Sequence, residues 1–256
     1  MHSLPKRAMN LRRQSIYLLP NLFTLGALFC GFYAIVAAMN ERFEPAALAI
    51  FFAMVLDGLD GRVARMTHTS SEFGAQFDSL SDMVSFGVAP ALVVYEWGLR
   101  GFGKLGWMVA FIYCACAALR LARFNTNIEL VDKRWFQGLP SPSAAALVAG
   151  LVWICLEYKV ELSELALARW IPHVALAFTL YAGLTMVSNA PFWSFKEFNM
   201  RKTVPFVVML LAVLVLLIGV SHPPMMLFSF FICYAASGYL MLIWRYFKSR
   251  KDETPK

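Results

Sequence analysis

Asp57-Gly58-Leu59-Asp60-Gly61-Arg62-Val63-Ala64-Arg65 and, eight residues further on, Gly74-Ala75-Gln76-Phe77-Asp78-Ser79-Leu80-Ser81-Asp82 decide how this chain is read. Four carboxylates sit inside two stretches otherwise apolar enough to cross a bilayer, where a buried unpaired charge costs several kcal/mol. Positions three and four apart are neighbours on a helix surface, so each stretch offers a pair of acids on one face. Four converging carboxylates ask for metal ions.

The rest of the chain supports a membrane setting. Of 256 residues, 59% are hydrophobic, 15% are charged and 22 are Phe, a composition of integral membrane proteins. Apolar segments long enough to span fall at 21–39, 46–64, 76–96, 105–122, 142–158, 171–189, 204–220 and 225–244. The second and third carry the aspartates, and the sixth is bounded by Pro172 and Pro191. The reading is all-α: a polytopic membrane helix bundle of about eight transmembrane helices, forming one integral membrane domain over 1–256.

An even number of spans puts both termini on one side, and the cationic residues say which. All but Arg42, Arg100, Lys104, Lys159 and Arg169 of the 23 Lys and Arg residues fall in the two tails or in the loops on the same side as the tails. Cytoplasmic loops collect Lys and Arg, so both termini are expected to be cytoplasmic, in the cell (inner, cytoplasmic) membrane. The net charge of +7 is then mostly topological, with some of it available to anionic membrane lipids; nothing resembles a nucleic-acid module. The first apolar stretch is too long for a signal peptide and lacks a small-residue cleavage site, so it is expected to stay as helix 1. Cys30, Cys114, Cys116, Cys155 and Cys233 all lie in expected spans and are read as small apolar packing residues rather than as disulfides or a zinc site. Of the histidines, only His68 lies near the acids, where a surface role is expected.

Depth turns the spacing into a site. With helix 2 ending near Arg65, a rise of 1.5 Å per residue places Asp57 about 12 Å and Asp60 about 8 Å below that end. With helix 3 starting near residue 76, Asp78 and Asp82 lie about 3 Å and about 9 Å below its start. The two pairs meet at similar depth. Gly61 and Gly74 remove side chains beside this pocket, and Arg65 stands at its cytoplasmic rim, where its fork suits a phosphate or a ribose oxygen. Hard oxygen ligands at this density suit Mg²⁺ or Mn²⁺, and two such ions are the usual clamp for displacement at phosphorus. Ion pairing of the acids with Arg62 or Arg65 is the bland alternative, but two arginines do not neutralise four carboxylates.

The string from Asp57 to Asp82 resembles the signature of the CDP-alcohol phosphatidyltransferases at every fixed position. The resemblance implies a membrane enzyme that moves a phosphatidyl group from CDP-diacylglycerol to the hydroxyl of a small alcohol and releases CMP. It implies two ions, Mg²⁺ or Mn²⁺, held by Asp57, Asp60 and Asp78, with Asp82 near the metals and acting as general base. It also implies that Gly61, Arg65 and Gly74 line the cytidine diphosphate pocket, joined by Asn21 and Thr24 from Pro20-Asn21-x-x-Thr24. By itself that last string reads as a plain helix N-terminus with Pro first. The family core is expected over 15–190, with two further helices and a basic tail over 200–256, and the resemblance suggests a homodimer.

The signature names the donor and not the acceptor. Ser85-Phe86-Gly87-Val88-Ala89-Pro90-Ala91, Arg120-Leu121-Ala122-Arg123-Phe124-Asn125 and Phe136-Gln137-Gly138-Leu139-Pro140-Ser141-Pro142 resemble the phosphatidylserine synthases of the integral membrane type, which implies L-serine as acceptor. Serine carries a carboxylate, and Arg120 and Arg123, three apart at the end of helix 4, are candidates to hold it or the lipid phosphate, with Asn125 and Ser141 nearby. Both arginines are equally readable as anchors at the headgroups, and the loop before helix 5 as a turn in which Ser141 caps the helix and Pro142 takes its first position. Glycerol 3-phosphate, inositol phosphate or choline would use the same chemistry. A cation or proton transporter is the competitor from another class, opposed by acids clustered near one surface and by the lack of visible inverted repeats.

Overall fold

Small residues line the seam between the first two helices of this bundle and large ones their outer faces. Ala27, Ala34, Ala37 and Ala38 are buried against Ala46, Ala47, Ala49 and Ala53, while Phe29, Phe32, Phe52 and Val55 of the same two helices point outward and are more than half exposed. That pattern follows from lipid, which is as apolar as a leucine side chain: helices gain by bringing backbones close, and small side chains permit it.

The computed structural model describes residues 6–67, 69, 71–126, 135–158, 170–193 and 221–252. Helix α1 (Lys6–Met39) packs along α2 (Phe43–Thr67) in the most extensive interface of the fold. Helix α3 (Glu72–Asp82) continues through a π-helical turn, Met83–Val88, into α4 (Ala89–Val94), then through a second wide turn, Tyr95–Leu99, to Phe102. Helix α5 (Lys104–Thr126) lies against α7 (Ile171–Val187), and α6 (Ser141–Glu157) packs on α2 and on the last helix, α8 (Pro223–Asp252). Among the described residues the architecture is all-α apart from one small ribbon. Among the described residues four stretches, Leu19–Met39, Glu72–Phe102, Lys104–Thr126 and Pro223–Trp244, are long and apolar enough to cross a membrane. Helix α2 is long enough but carries Asp57, Asp60, Arg62 and Arg65, and α6 and α7 are apolar with 17 residues each. The expected span at 204–220 lies outside the described residues, as does His68.

Three features depart from the sequence reading. Helix α1 begins at Lys6 and runs through Pro20 instead of starting beside it, and the Pro20 carbonyl accepts a bond from Thr24 Oγ1 (3.2 Å). Helix α3 begins at Glu72 and not near 76, because Ser71 caps it: its side chain accepts from the Gly74 N–H at 3.0 Å. A two-stranded antiparallel ribbon, β1 (Trp135–Gln137) with β2 (Pro191–Trp193), was not foreseen; it pairs Phe136 with Phe192.

Two glycines set the shape around the site. A Cβ on Gly31 of α1 would lie 2.6 Å from Ser85 Oγ and 2.7 Å from Ser85 Cα, so the chain after α3 seats directly on the α1 backbone. Gly138 has φ +79°, and a Cβ there would run into the Met186 carbonyl oxygen. Gly31→Ala should therefore lower stability by about 1–3 kcal/mol through overpacking against backbone. Gly58→Ala, with nothing within 4 Å of the new Cβ, should not. Thermal melts of the two variants in detergent check the contrast.

Candidate active site

The C-terminal half of α2 and the start of α3 face each other across α1. Asp57, Asp60 and Asp78 each offer a carboxylate oxygen, and these three atoms lie within 4.8 Å of one another. Asp60 is 5% exposed and accepts a 2.6 Å hydrogen bond from Thr24 Oγ1, which fixes one of its oxygens from the α1 side. The Oδ1 atom of Asp78 is buried with no hydrogen-bond partner. Asp82, one turn further along α3, lies outside this trio and interacts electrostatically with Asp57 and Asp78. Like charges this close repel one another, and no direct ion pair joins them: among the described residues the only salt bridge is Arg100–Glu96 (3.0 Å), while Arg65 acts on Asp60 and Arg120 on Asp82 only from further away. An all-oxygen donor set with an unsatisfied buried oxygen fits a hard divalent cation.

Beside the acids a cavity of about 200 Å³ is lined by Pro20, Asn21 and Thr24 of α1, by Asp60, Gly61, Ala64 and Arg65 of α2, and by Gly74, Ala75 and Asp78 of α3. Thr69 and Ser71 of the connecting loop complete it. All five residues matched to the nucleotide pocket by resemblance, Asn21, Thr24, Gly61, Arg65 and Gly74, thus line one cavity with Asp60 and Asp78. At Gly74 a Cβ would sit in contact with α1, 3.5 Å from Asn21 Oδ1. The loop residues Thr69 and Ser71 escaped the sequence reading; the Ser71-Glu72-Phe73-Gly74 order, a capping residue followed by an acid, was the available signal.

The acceptor candidates separate. Arg120 is 8% exposed, donates from Nη1 to Ser141 Oγ (2.9 Å), leaves Nε without a partner, and interacts electrostatically with Asp82. Asn125 bonds Ser79 of α3, the residue after Asp78, at 3.0 Å from its Nδ2. Arg123, only three residues from Arg120, turns to the end of α7. Its Nη1 reaches the Val187 carbonyl (3.2 Å) and Asn189 Oδ1 (3.3 Å), and its Nη2 reaches the carbonyls of Gln137 (3.1 Å), Met186 and Ser188 (3.4 Å each). A helix leaves its last four carbonyls unserved. Here Ser188 N–H takes that of Leu184 (3.1 Å), Leu139 N–H that of Thr185 (3.1 Å), and Arg123 those of Met186 and Val187. Arg123 is thus engaged as a cap that hangs the Gly138–Ser141 loop from α7, which in turn holds Ser141 beneath Arg120.

Fold and site together define a polytopic membrane protein with an acidic centre among its helices, fitted to a hard cation and opening on a cavity. Residues 17–181 match the model of the CDP-alcohol phosphatidyltransferase family, and the chain belongs to that family. It is 40% identical over 182 residues to the CDP-diacylglycerol--serine O-phosphatidyltransferase of Helicobacter pylori (strain ATCC 700392 / 26695), covering 71% of this chain and 74% of that one. Proteins of the same name from Methanocaldococcus jannaschii and Saccharomyces cerevisiae are 43% identical over 112 residues (44% of this chain, 52% of theirs) and 37% identical over 139 residues (49% and 50%).

Because Arg123 serves carbonyls that have few other donors, Arg123→Lys should cost about 1–3 kcal/mol of stability. A thermal melt in detergent reads this directly, and an unshifted Tm would exclude the capping role.

Proposed function

We propose that the protein transfers the phosphatidyl group of CDP-diacylglycerol to the hydroxyl of L-serine, giving phosphatidylserine and CMP. One juxtaposition carries this reading: a trio of carboxylates at a cavity wall, a fourth acid beside them, and a buried arginine facing that fourth acid with an unused N–H. The names of the curated relatives supply serine as the acceptor.

In this reading Asn21, Thr24, Gly61, Arg65 and Gly74 receive the cytidine diphosphate, the glycines giving its oxygens room and Arg65 closing the rim. Thr24 also orients Asp60. Asp57, Asp60 and Asp78, with Asp82 alongside, would hold Mg²⁺ or Mn²⁺, two ions per site, which when bound offset the charge of the diphosphate and of departing CMP. Asp82 takes the proton of the serine hydroxyl as that oxygen forms its bond to the phosphorus bearing diacylglycerol. The bond from that phosphorus to the CMP oxygen breaks in line, and no covalent enzyme intermediate is required.

Arg120 is the group for the serine carboxylate: its free Nε and remaining N–H donors present a fork, and Ser141 keeps the guanidinium in place. Asn125 and Ser141 complete that side, with Arg123 supporting it from behind. One buried guanidinium suits one carboxylate; a phosphorylated acceptor would call for more cations, and choline for none. The topology that goes with this chemistry has eight spans, both termini and the active site on the cytoplasmic side of the cell membrane, and a homodimer, with 200–256 adding two helices and a basic tail to the 15–190 core.

CMP release from CDP-diacylglycerol by the purified protein in detergent, with Mg²⁺ or Mn²⁺, should require serine and stop on chelation. Release with glycerol 3-phosphate, inositol phosphate or choline instead would overturn the acceptor. Asp82→Asn should abolish turnover while CDP-diacylglycerol still binds, and substantial residual activity would remove its role as base. Arg120→Lys should raise the KM for serine about tenfold with the KM for the lipid donor little changed, since only the bidentate contact is lost.

A further inference from the structure

Pro90 leaves a gap in the hydrogen-bond ladder of the helix that carries Asp82. It has no N–H, so it gives nothing to the Phe86 carbonyl four residues back. That carbonyl is buried in the π-helical turn Met83–Val88, which begins at the residue after Asp82. From α5 the hydroxyl of Tyr113 reaches it at 3.0 Å. Tyr113 is wholly buried, and the close approach of α5 and α7 holds its backbone in place: a Cβ on Gly183 would lie 3.1 Å from Tyr113 Cα.

The opposite side of the turn is sewn to α1. Ser81 Oγ donates to the Thr24 carbonyl (3.1 Å) and Ser85 Oγ to the Ala27 carbonyl (3.0 Å), and Thr24 in turn holds Asp60. A π turn adds one residue to a helical turn and so resets which face the neighbouring side chains occupy. The turn and the residues just before it are held here by two hydroxyls on the α1 side and one on the α5 side, and Asp82 falls between Ser81 and Ser85 in sequence.

We propose that Tyr113 is a positioning residue for Asp82: its hydroxyl replaces the N–H that Pro90 lacks and locks the π turn in the register that sets the Asp82 carboxylate near Asp57. It touches no substrate and acts through the Phe86 carbonyl. The kinetic side of this proposal rests on the transferase reading above; the structural side does not.

The test is Tyr113→Phe, which keeps the ring and removes only the hydroxyl, alone and combined with Pro90→Ala, which returns a backbone donor to the Phe86 carbonyl. In the serine-dependent assay Tyr113→Phe should lower kcat about tenfold or more, leaving both KM values within about twofold, and Pro90→Ala should restore much of the loss. Hydrogen exchange followed by mass spectrometry should show faster exchange over 83–91 in Tyr113→Phe, slowed again in the double variant. A wild-type kcat, a loss confined to KM, or a loss that Pro90→Ala does not repair would overturn the proposal. If the wild-type protein turns over no acceptor, the transferase reading falls. The exchange data then decide alone: unchanged protection over 83–91 in Tyr113→Phe refutes the hold on the turn, and faster exchange reversed by Pro90→Ala supports it.

Discussion

Repulsion among carboxylates in an apolar bundle is the constraint around which this molecule is arranged. Asp57, Asp60 and Asp78 bring their oxygens within 4.8 Å of one another, with Asp82 acting electrostatically on Asp57 and Asp78, in a setting that offers little water. Such a cluster destabilises an empty fold unless the scaffold is strong enough to hold it or a cation takes up the charge. The scaffold is visible. Each acid-bearing helix is tied to α1 by short side-chain bonds: Thr24 to Asp60, and Ser81 and Ser85 to the carbonyls of Thr24 and Ala27. These bonds use hydroxyls and not charges, so they hold the acids without neutralising them, and the cluster keeps its demand for a cation.

The acids and the cavity were legible in the sequence because a helix converts spacing into direction. Three- and four-residue offsets put Asp57 with Asp60 and Asp78 with Asp82, and glycines at 61 and 74 marked where something approaches the backbone. The wider description was less legible, for reasons that differ by residue. Arg120 and Arg123 are the same residue type on the same helix face, and no local feature separates them. What separates them is where α7 ends, some sixty residues later, because its bare carbonyls draw one guanidinium and leave the other facing Asp82. The ribbon of Trp135–Gln137 with Pro191–Trp193 is only three residues a side, too short for any period to show.

Backbone irregularity was hidden for a related reason. Pro20 reads as the first residue of a helix, yet the helix runs through it, because a proline inside a helix and a proline at its start share the same local sequence. Pro90 announces a missing donor, but whether the chain answers with a break, a kink or a π turn depends on what lies opposite. Tyr113 lies opposite, more than twenty residues away, and its hydroxyl bonds a carbonyl of the wide turn. Helix α8 lies beyond the 17–181 family match and still packs on α6, and its Tyr239 shares a 2.7 Å hydrogen bond with Thr185 near the end of α7.

The reversal of side-chain size, with alanines inside α1 and α2 and phenylalanines outside, carries a consequence for how such a sequence can drift. In a water-soluble bundle the interior accepts many exchanges among large apolar residues and the surface accepts almost anything polar. Here the interior is limited by volume, so even one added methylene between α1 and α2 pushes two backbones apart, while the outer face is limited only by its affinity for lipid and is indifferent to shape. Substitution should therefore be frequent where side chains are largest and rare where they are smallest, the inverse of the gradient by which buried cores are usually recognised.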